Sequence, residues 1–239
     1  MELPGKVALI TGATGFVGSR TARRLVQEGM HVRGLVRRPV DLPDLESYLG
    51  DITDAATMAP AAAGAHVVVH CGAVLRRATR EEAMWVNAEG TRIVLEAALQ
   101  AGCERFIHLS TVSVHAVDGH DVVDEATPLR QAGDAYGESK ALAEQAVWAA
   151  AAKGLQVTVL RPPAILGVAP TAARSENRRS YTKSATPQPT LWRRLFSSFI
   201  LMPRSPLGHQ PMMVFITIST LVWTRQVNLG HSRQVISRR

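Results

Sequence analysis

Tyr136 and Lys140 stand four residues apart in the stretch Tyr136-Gly137-Glu138-Ser139-Lys140. On a helix that spacing puts both side chains on one face. A phenol titrates at about pH 10, too high for a general base at neutral pH, and a neighbouring ammonium lowers that value by stabilising the phenolate. The pair can then pass a proton to or from a substrate oxygen. A Tyr-x-x-x-Lys also arises by chance, so its meaning rests on position. Here it opens a helix-like segment that follows a strand-like run ending in Ser110-Thr111.

A second constellation lies near the start, Thr11-Gly12-Ala13-Thr14-Gly15-Phe16-Val17-Gly18, with Gly12, Gly15 and Gly18 three apart. A strand that turns into a helix here leaves backbone N–H groups at the helix N-terminus, aimed at an anion. Glycines permit the tight turn and let a pyrophosphate approach the backbone. The bland alternative is a glycine-rich turn that binds nothing. Nineteen residues past Gly18 stands Arg37, followed by Arg38. Dinucleotide-binding folds place, about 20 residues beyond the glycines, an acid for the ribose 2′-hydroxyl of NAD or an arginine for the 2′-phosphate of NADP. A guanidinium matches a phosphate with two parallel hydrogen bonds. Arg37 therefore points to NADP, with NAD as the alternative cofactor and a solvated pair of arginines as the bland reading.

The elements that must hold these residues alternate between strand and helix. Lys6–Thr11, His31–Val36, Ala65–His70, Arg105–Ser110 and Leu155–Leu160 are apolar runs of strand length. Between them, Val17–Glu28, Asp54–Ala63, Glu81–Ala101 and Ala135–Lys153 read as helices, each followed by a glycine. Continuous apolar strands alternating with helices predict a doubly wound parallel α/β sheet of Rossmann type, covered on both faces.

Charge divides the chain. Residues 1–167 carry 16 Lys and Arg against 19 Asp and Glu, a net −3, whereas residues 168–239 carry 11 against the single acid Glu176, a net +10. Sixteen of the 18 glycines precede residue 168. The expected organisation is a dinucleotide-binding domain over 1–167 and a short, basic, loosely ordered substrate-region remnant over 168–239. The overall pI of 10.1 belongs to the second part and gives no reason to expect nucleic-acid binding by the first. Within that part, Phe215–Ile218 reads as a strand, followed by Ser219-Thr220 rather than an acid pair.

The N-terminus runs straight into a strand without a basic and apolar leader, and Met212–Trp223 is shorter than the roughly 20 residues of a spanning helix. A cytoplasmic protein without a membrane partner is expected. Two cysteines, Cys71 and Cys103, exclude a disulfide scaffold. The eight histidines lack metal-site spacing, so no metal is expected. Arg76, Arg77 and Arg80 could meet an anionic substrate but more simply form a solvated face.

Several motifs in order resemble the extended short-chain dehydrogenase/reductase superfamily, in its NAD-dependent epimerase/dehydratase family. The Thr11–Gly18 loop resembles the family's phosphate loop. Gly50-Asp51-Ile52-Thr53-Asp54 resembles its adenine-side element, with Asp51 in the binding position. His70-Cys71-Gly72-Ala73 resembles its strand end beside the cofactor, with Gly72 replacing an alanine, and Val86-Asn87-Ala88-Glu89-Gly90-Thr91 its helix with a structural asparagine, here Asn87. Phe106–Val114 resembles the strand with the catalytic Ser or Thr. That role falls on Thr111, with Ser110 as the second choice, and His115 stands where the family often has tyrosine. Asp124-Glu125 to Pro128, the Tyr136/Lys140 pair, and Leu160-Arg161-Pro162-Pro163-Ala164-Ile165-Leu166-Gly167 complete the series.

The resemblance covers about residues 5–167 and implies a Rossmann fold and a nicotinamide that exchanges a hydride with a small-molecule substrate. A nucleotide-sugar is one such substrate. It implies catalytic roles for Thr111, Tyr136 and Lys140. It implies cofactor contacts from Gly12, Thr14, Gly15, Phe16, Val17, Gly18, Arg37, Asp51, Ile52, Cys71, Gly72, Ala73, Asn87, Tyr136, Lys140, Pro162 and Ile165. Helices such as Glu81–Ala101 and Ala135–Lys153 form a dimer interface in many relatives, so a homodimer is admitted. The alternative function is a dinucleotide-binding protein with little or no turnover.

Overall fold

Strands of Val, Ile and Leu without polar alternation can be satisfied only when both faces of their sheet are covered. The computed structural model describes residues 2–42, 44–75, 77–115, 124, 127–130, 133–163, 165 and 212–215. Within them β1 (Val7–Thr11) pairs with β2 (His31–Val36) on one side and β4 (Val67–His70) on the other. β3 (Glu46–Leu49) flanks β2, β5 (Arg105–Leu109) and β6 (Gln156–Arg161) extend the sheet beyond β4, and β7 (Met212–Phe215) lies along β6. All pairings are parallel, in the order β3-β2-β1-β4-β5-β6-β7. The strand order reverses between β1 and β4, and the carboxyl ends there border the crevice where such sheets bind ligands.

Alternate strand residues serve two cores. Leu9, Val68, Phe106 and Val159 pack with Val94 and Ala98 of α4 (Gly90–Gln100) and Val147 of α5 (Ala135–Ala152). Ala8, Ile10, Val69, Ile107 and Leu160 pack with Ala22 and Leu25 of α1 (Phe16–Gln27). The expected doubly wound α/β class is thus observed. The expectations on Arg76, Glu125, Ala164, Leu166, Gly167, 168–211 and 216–239 fall outside the described residues.

Three features differ from the sequence reading. Strand β3 was not anticipated; its residues Glu-Ser-Tyr-Leu lie at the sheet edge with mostly exposed side chains, so they carry no apolar pattern. The helix expected over Glu81–Ala101 is α3 (Arg80–Ala83), a π-helical turn Met84–Glu89, and α4. The wider turn leaves Asn87 buried, and such bulges often mark functional positions. The strand expected at Phe215–Ile218 begins earlier, at Met212. Its register pairs Thr158 with Met212 and Arg161 with Phe215, so it fills the free edge of β6 up to the point where Pro162 ends that strand. The helix α2 (Ala55–Ala62) completes the set, N-capped by Asp54.

Candidate active site

The glycine-rich loop after β1 is fixed by backbone geometry. Gly12 has φ +67°, and a Cβ there would meet the Cys71 carbonyl carbon and the Gly72 nitrogen at 2.9 Å. A Cβ on Gly18 would lie 2.2 Å from the Gly12 oxygen, so only glycine lets α1 start this close to the loop. Thr14 and Gly15 are exposed at the tip, and Phe16 and Val17 are half-buried. Gly15 caps α1 without a side-chain hydrogen bond, and the first turn contains no acid. The N–H groups of that turn have no side-chain cap, and a helix terminus of that kind, with its dipole, can accept an anion.

A buried relay ties this loop to the rest of the site. The Gly72 N–H donates to Thr11 Oγ1 at 3.0 Å, and Thr11 lies 2.7 Å from His70 Nδ1. His70 Nε2 lies 3.0 Å from Thr91 Oγ1, whose hydroxyl donates to the Asn87 carbonyl at 2.6 Å. One direction satisfies every member: Thr11 donates to Nδ1, and Nε2–H donates to Thr91. His70 is therefore a neutral Nε2–H tautomer, consistent with burial pushing its pKa down to about 3. Asn87 uses its whole amide. Its Oδ1 accepts from the Val74 N–H at 2.8 Å, and its Nδ2 donates to the Val74 carbonyl and to Ser139 Oγ, both at 3.0 Å. Ser139 in turn donates to the Tyr136 carbonyl at 2.9 Å. The loop after β4 and the first turn of α5 are thereby held to one side chain.

Asp134 caps α5 by accepting from the Gly137 N–H at 2.9 Å, which sets where the helix starts and hence where Tyr136 stands. Tyr136 is half-buried in the first turn. Lys140, one turn on, is 1% exposed, and its ammonium donates to the Leu109 carbonyl at 2.7 Å. Burial pushes its pKa down to about 8, opposed by the negative charge of Glu144. Thr111 follows the end of β5 as the cap of a 3₁₀ turn (Val112–Val114), where its Oγ1 accepts from the Ser113 N–H at 3.2 Å. Its hydroxyl hydrogen remains available to a ligand. Ser110 is different: its hydroxyl donates to Glu144 Oε1 at 2.5 Å in a buried contact. The two neighbouring hydroxyls thus differ in their partners.

The remaining cofactor candidates surround these groups. Arg37 is exposed just past the end of β2. Asp51 Oδ1 accepts from the Thr53 N–H and hydroxyl at 2.9 and 2.8 Å, so one carboxylate oxygen shapes its turn. Ile52 is buried against Gly90. Cys71, Gly72 and Ala73 are partly buried at the end of β4, and the Cys71 thiol is pushed up to about 12 by burial. Pro162 is buried, its carbonyl accepting from the Val112 N–H at 3.1 Å, and Ile165 is half-buried. Arg80 pairs with Glu138 at 2.5 Å. No group of three metal-ligating side chains occurs among the described residues, and His66 Nδ1 instead accepts from the Val7 N–H at 3.1 Å.

Sequence reasoning missed Thr11, His70 and Thr91 as a relay, and Glu144. The last had a legible signal, since Tyr136, Lys140 and Glu144 repeat every four residues along one helix face.

Residues 8–186 match the NAD dependent epimerase/dehydratase family. The chain belongs to that family. A 3-beta-hydroxysteroid dehydrogenase of Mycolicibacterium neoaurum is 34% identical over 174 residues, spanning 66% of this chain and 47% of that protein. The sterol demethylase protein B of Methylococcus capsulatus is 32% identical over 169 residues, spanning 66% and 51%. Among solved structures, an NAD-bound short-chain dehydrogenase/reductase superfamily protein from Agrobacterium tumefaciens superposes with a TM-score of 0.60 at 31% identity, covering 65% of this chain and 48% of that one. An NAD-bound dTDP-glucose 4,6-dehydratase from Streptomyces venezuelae gives 0.59 at 28% identity, covering 65% and 55%. The chain spans about half the length of the curated relatives it matches. Like these epimerase/dehydratase-family structures, it has the Rossmann fold.

Proposed function

We propose that this family member is an oxidoreductase or epimerase/dehydratase that prefers NADP over NAD and acts on a hydroxyl or carbonyl carbon of a small molecule, such as a nucleotide-sugar. The observation that carries the reading is the Lys140 ammonium, buried on the face of α5 it shares with Tyr136 and fastened to the backbone beside Ser110-Thr111. The residues fit the cofactor. An uncapped helix N-terminus behind Gly12 and Gly18 suits the pyrophosphate, and Arg37 suits a 2′-phosphate.

When bound, the nicotinamide would supply or accept the hydride. Tyr136 would give a proton to the substrate oxygen, or take one, at its phenolic oxygen. Lys140 would hold the nicotinamide ribose and stabilise the phenolate. Thr111 would donate its hydroxyl hydrogen to the same substrate oxygen. Gly12, Thr14, Gly15, Phe16, Val17 and Gly18 would hold the pyrophosphate, Asp51 and Ile52 the adenine side, and Cys71, Gly72, Ala73, Asn87, Pro162 and Ile165 the nicotinamide side. With Arg80 tied to Glu138, Arg77 is the exposed described arginine of that loop that would face an anionic substrate.

A cytoplasmic site and a homodimer belong to the same reading. No helix among the described residues is long and apolar enough to cross a membrane. Trp85 and Leu142 are exposed on elements that pack together, which supports a second copy docking there. A second reading, a binding protein with little turnover, is favoured by the composition of residues 168–239, with its single acid and two glycines. Titrating NADPH and NADH against the full chain, with Tyr136→Phe assayed for both binding and carbonyl reduction, tests the proposal. Retained binding with lost turnover supports it. Absent binding of either cofactor overturns it.

A further inference from the structure

Lys140 and Glu144 are one turn apart on α5, and they grip adjacent residues of the neighbouring strand end. Lys140 Nζ donates to the Leu109 carbonyl, and Glu144 Oε1 accepts from Ser110 Oγ. Glu144 is 0% exposed, on a helix that also buries Lys140, Ala141, Ala143 and Val147. Its carboxylate is held by the Arg161 guanidinium. Nε donates to Oε1 at 2.9 Å and to Oε2 at 3.1 Å, and Nη2 donates to Oε2 at 2.5 Å. Arg161 Nη1 reaches His115 Nε2 at 3.1 Å, while the other ring nitrogen, Nδ1, donates to the Thr127 carbonyl at 2.9 Å. His115 is thus a neutral acceptor that orients Arg161 from the far side.

A buried ion pair is a poor way to stabilise a core, because well-packed apolar residues do as well or better. This one lies at the carboxyl edge of the sheet, next to the two residues that carry the chemistry. Lys140 needs a counter-charge. Its hydrogen bond goes to a neutral carbonyl, and a buried ammonium without an anion is costly. The groups acting on it are Glu144 on its own helix, His70 and Cys71 at the end of β4, and His108 on β5, with Tyr136 one turn before it and Arg161 behind Glu144. His70, His108 and Cys71 are all held neutral by burial, so Glu144 supplies the negative charge among them.

We propose that Glu144 is a positioning residue for cofactor binding: clamped by Arg161 and bonded to Ser110, it locks the end of β5 against α5 and serves as the buried counter-ion of Lys140. The inference rests on the reading of Lys140 as the ribose-holding group. Without Glu144 the ammonium loses its proton at lower pH, and without the Ser110 bond the strand end that carries Leu109 and Thr111 loosens while the charge stays.

The two consequences separate in NADPH titrations of the full chain between about pH 6.5 and 9.5. Wild-type affinity should weaken as pH rises through the Lys140 pKa of about 8. In Glu144→Gln that weakening should begin about one pH unit lower, giving roughly tenfold weaker binding at pH 8 and much less loss at pH 6.5. Ser110→Ala, a small change that keeps the ion pair, should weaken binding about fivefold at every pH without moving the limb. If Glu144→Gln does not fold, Glu144→Gln/Arg161→Gln removes both buried charges and should move the limb down by less, because losing the Arg161 cation partly offsets losing the Glu144 anion. A folded Glu144 variant with the wild-type limb, or a Ser110→Ala chain with wild-type affinity, overturns the proposal. Lys140→Met separates this from the reading beneath it. If that variant keeps wild-type affinity and pH dependence, Lys140 does not hold the cofactor. If it loses the limb while Glu144→Gln keeps it, only the role of Glu144 fails.

Discussion

The Lys140 ammonium donates to the Leu109 carbonyl at 2.7 Å from a position that is 1% exposed. The contact orients the lysine but does not repay its desolvation, and its pKa falls to about 8. A folded-state value below the unfolded one of about 10.4 means that the unfolded chain binds more protons between those two pH values. Stability should therefore rise as pH climbs from about 8 to 10.4, and be lowest, on this account, below 8. Lys140→Met should remove that rise. It should stabilise the ligand-free chain at pH 7 by about 1–2 kcal/mol, the desolvation relief less the orphaned Leu109 carbonyl. The same change should weaken NADPH binding. Urea unfolding at pH 7 and 9.5 checks it, and a destabilised Lys140→Met chain at pH 7 would show that the ammonium is better compensated than its surroundings indicate.

Thr111 and Ser110 should behave differently in turnover. Thr111 Oγ1 accepts from the Ser113 N–H, whereas Ser110 donates its hydroxyl hydrogen to Glu144. Thr111→Ala should cost roughly 10²-fold in kcat with cofactor affinity nearly unchanged. Tyr136→Phe should nearly abolish turnover and leave NADPH binding intact. The measurement is steady-state reduction of a carbonyl probe beside a cofactor titration. Full activity in Tyr136→Phe removes the proton-transfer role.

Arg37 follows β2, exposed, at the end of the strand that the sequence placed there. A charge-assisted arginine–phosphate contact is worth about 1.5–3 kcal/mol, or roughly ten- to a hundredfold in affinity. Arg37→Asp should lower the NADPH/NADH affinity ratio by at least tenfold, because a carboxylate repels the 2′-phosphate and accepts from a 2′-hydroxyl. Equal affinities in the parent chain would end the NADP assignment.

The parallel sheet was legible because its inner strands are uninterrupted apolar runs, and the tight turn after β1 because glycine spacing reports a backbone requirement directly. β3 was not legible, since an exposed edge strand has no reason to be apolar. The π-helical turn was hidden because Met84–Glu89 contains no breaker, and only the inward turn of Asn87 reveals it. The relay through Thr11, His70 and Thr91 links residues up to 80 positions apart. No spacing rule within one element can find such a set. Glu144 shares the four-residue spacing of Tyr136 and Lys140, but a glutamate in an alanine-rich helix reads equally well as a solvated position until its partner Arg161 is seen.

His108 should make the fold sensitive to acid. It stacks on His70 with ring centroids 5.4 Å apart, and neither of its ring nitrogens has a hydrogen-bond partner among the described residues. Burial holds its pKa well below the ordinary value, and that of His70 at about 3. Both stay neutral in the folded chain while the unfolded chain takes up protons below about pH 6.5. Stability is therefore lost as pH falls through 6.5, and at pH 5 each such histidine costs roughly 2 kcal/mol. His108→Phe keeps a ring in the stack and removes both the unpaired nitrogens and the titration. It should be neutral or slightly stabilising at pH 7.5 and should retain about 2 kcal/mol more than wild type at pH 5. His70→Phe is the contrast. It orphans Thr11 and Thr91, and should destabilise the chain by about 1–3 kcal/mol at pH 7.5, a loss largely offset at pH 5, where removing the His70 titration returns roughly 2 kcal/mol. Urea melts of the three chains at the two pH values decide the matter. If His108→Phe loses as much stability between pH 7.5 and 5 as wild type does, His108 is already protonated or paired in the folded chain, and the acid sensitivity must come from elsewhere.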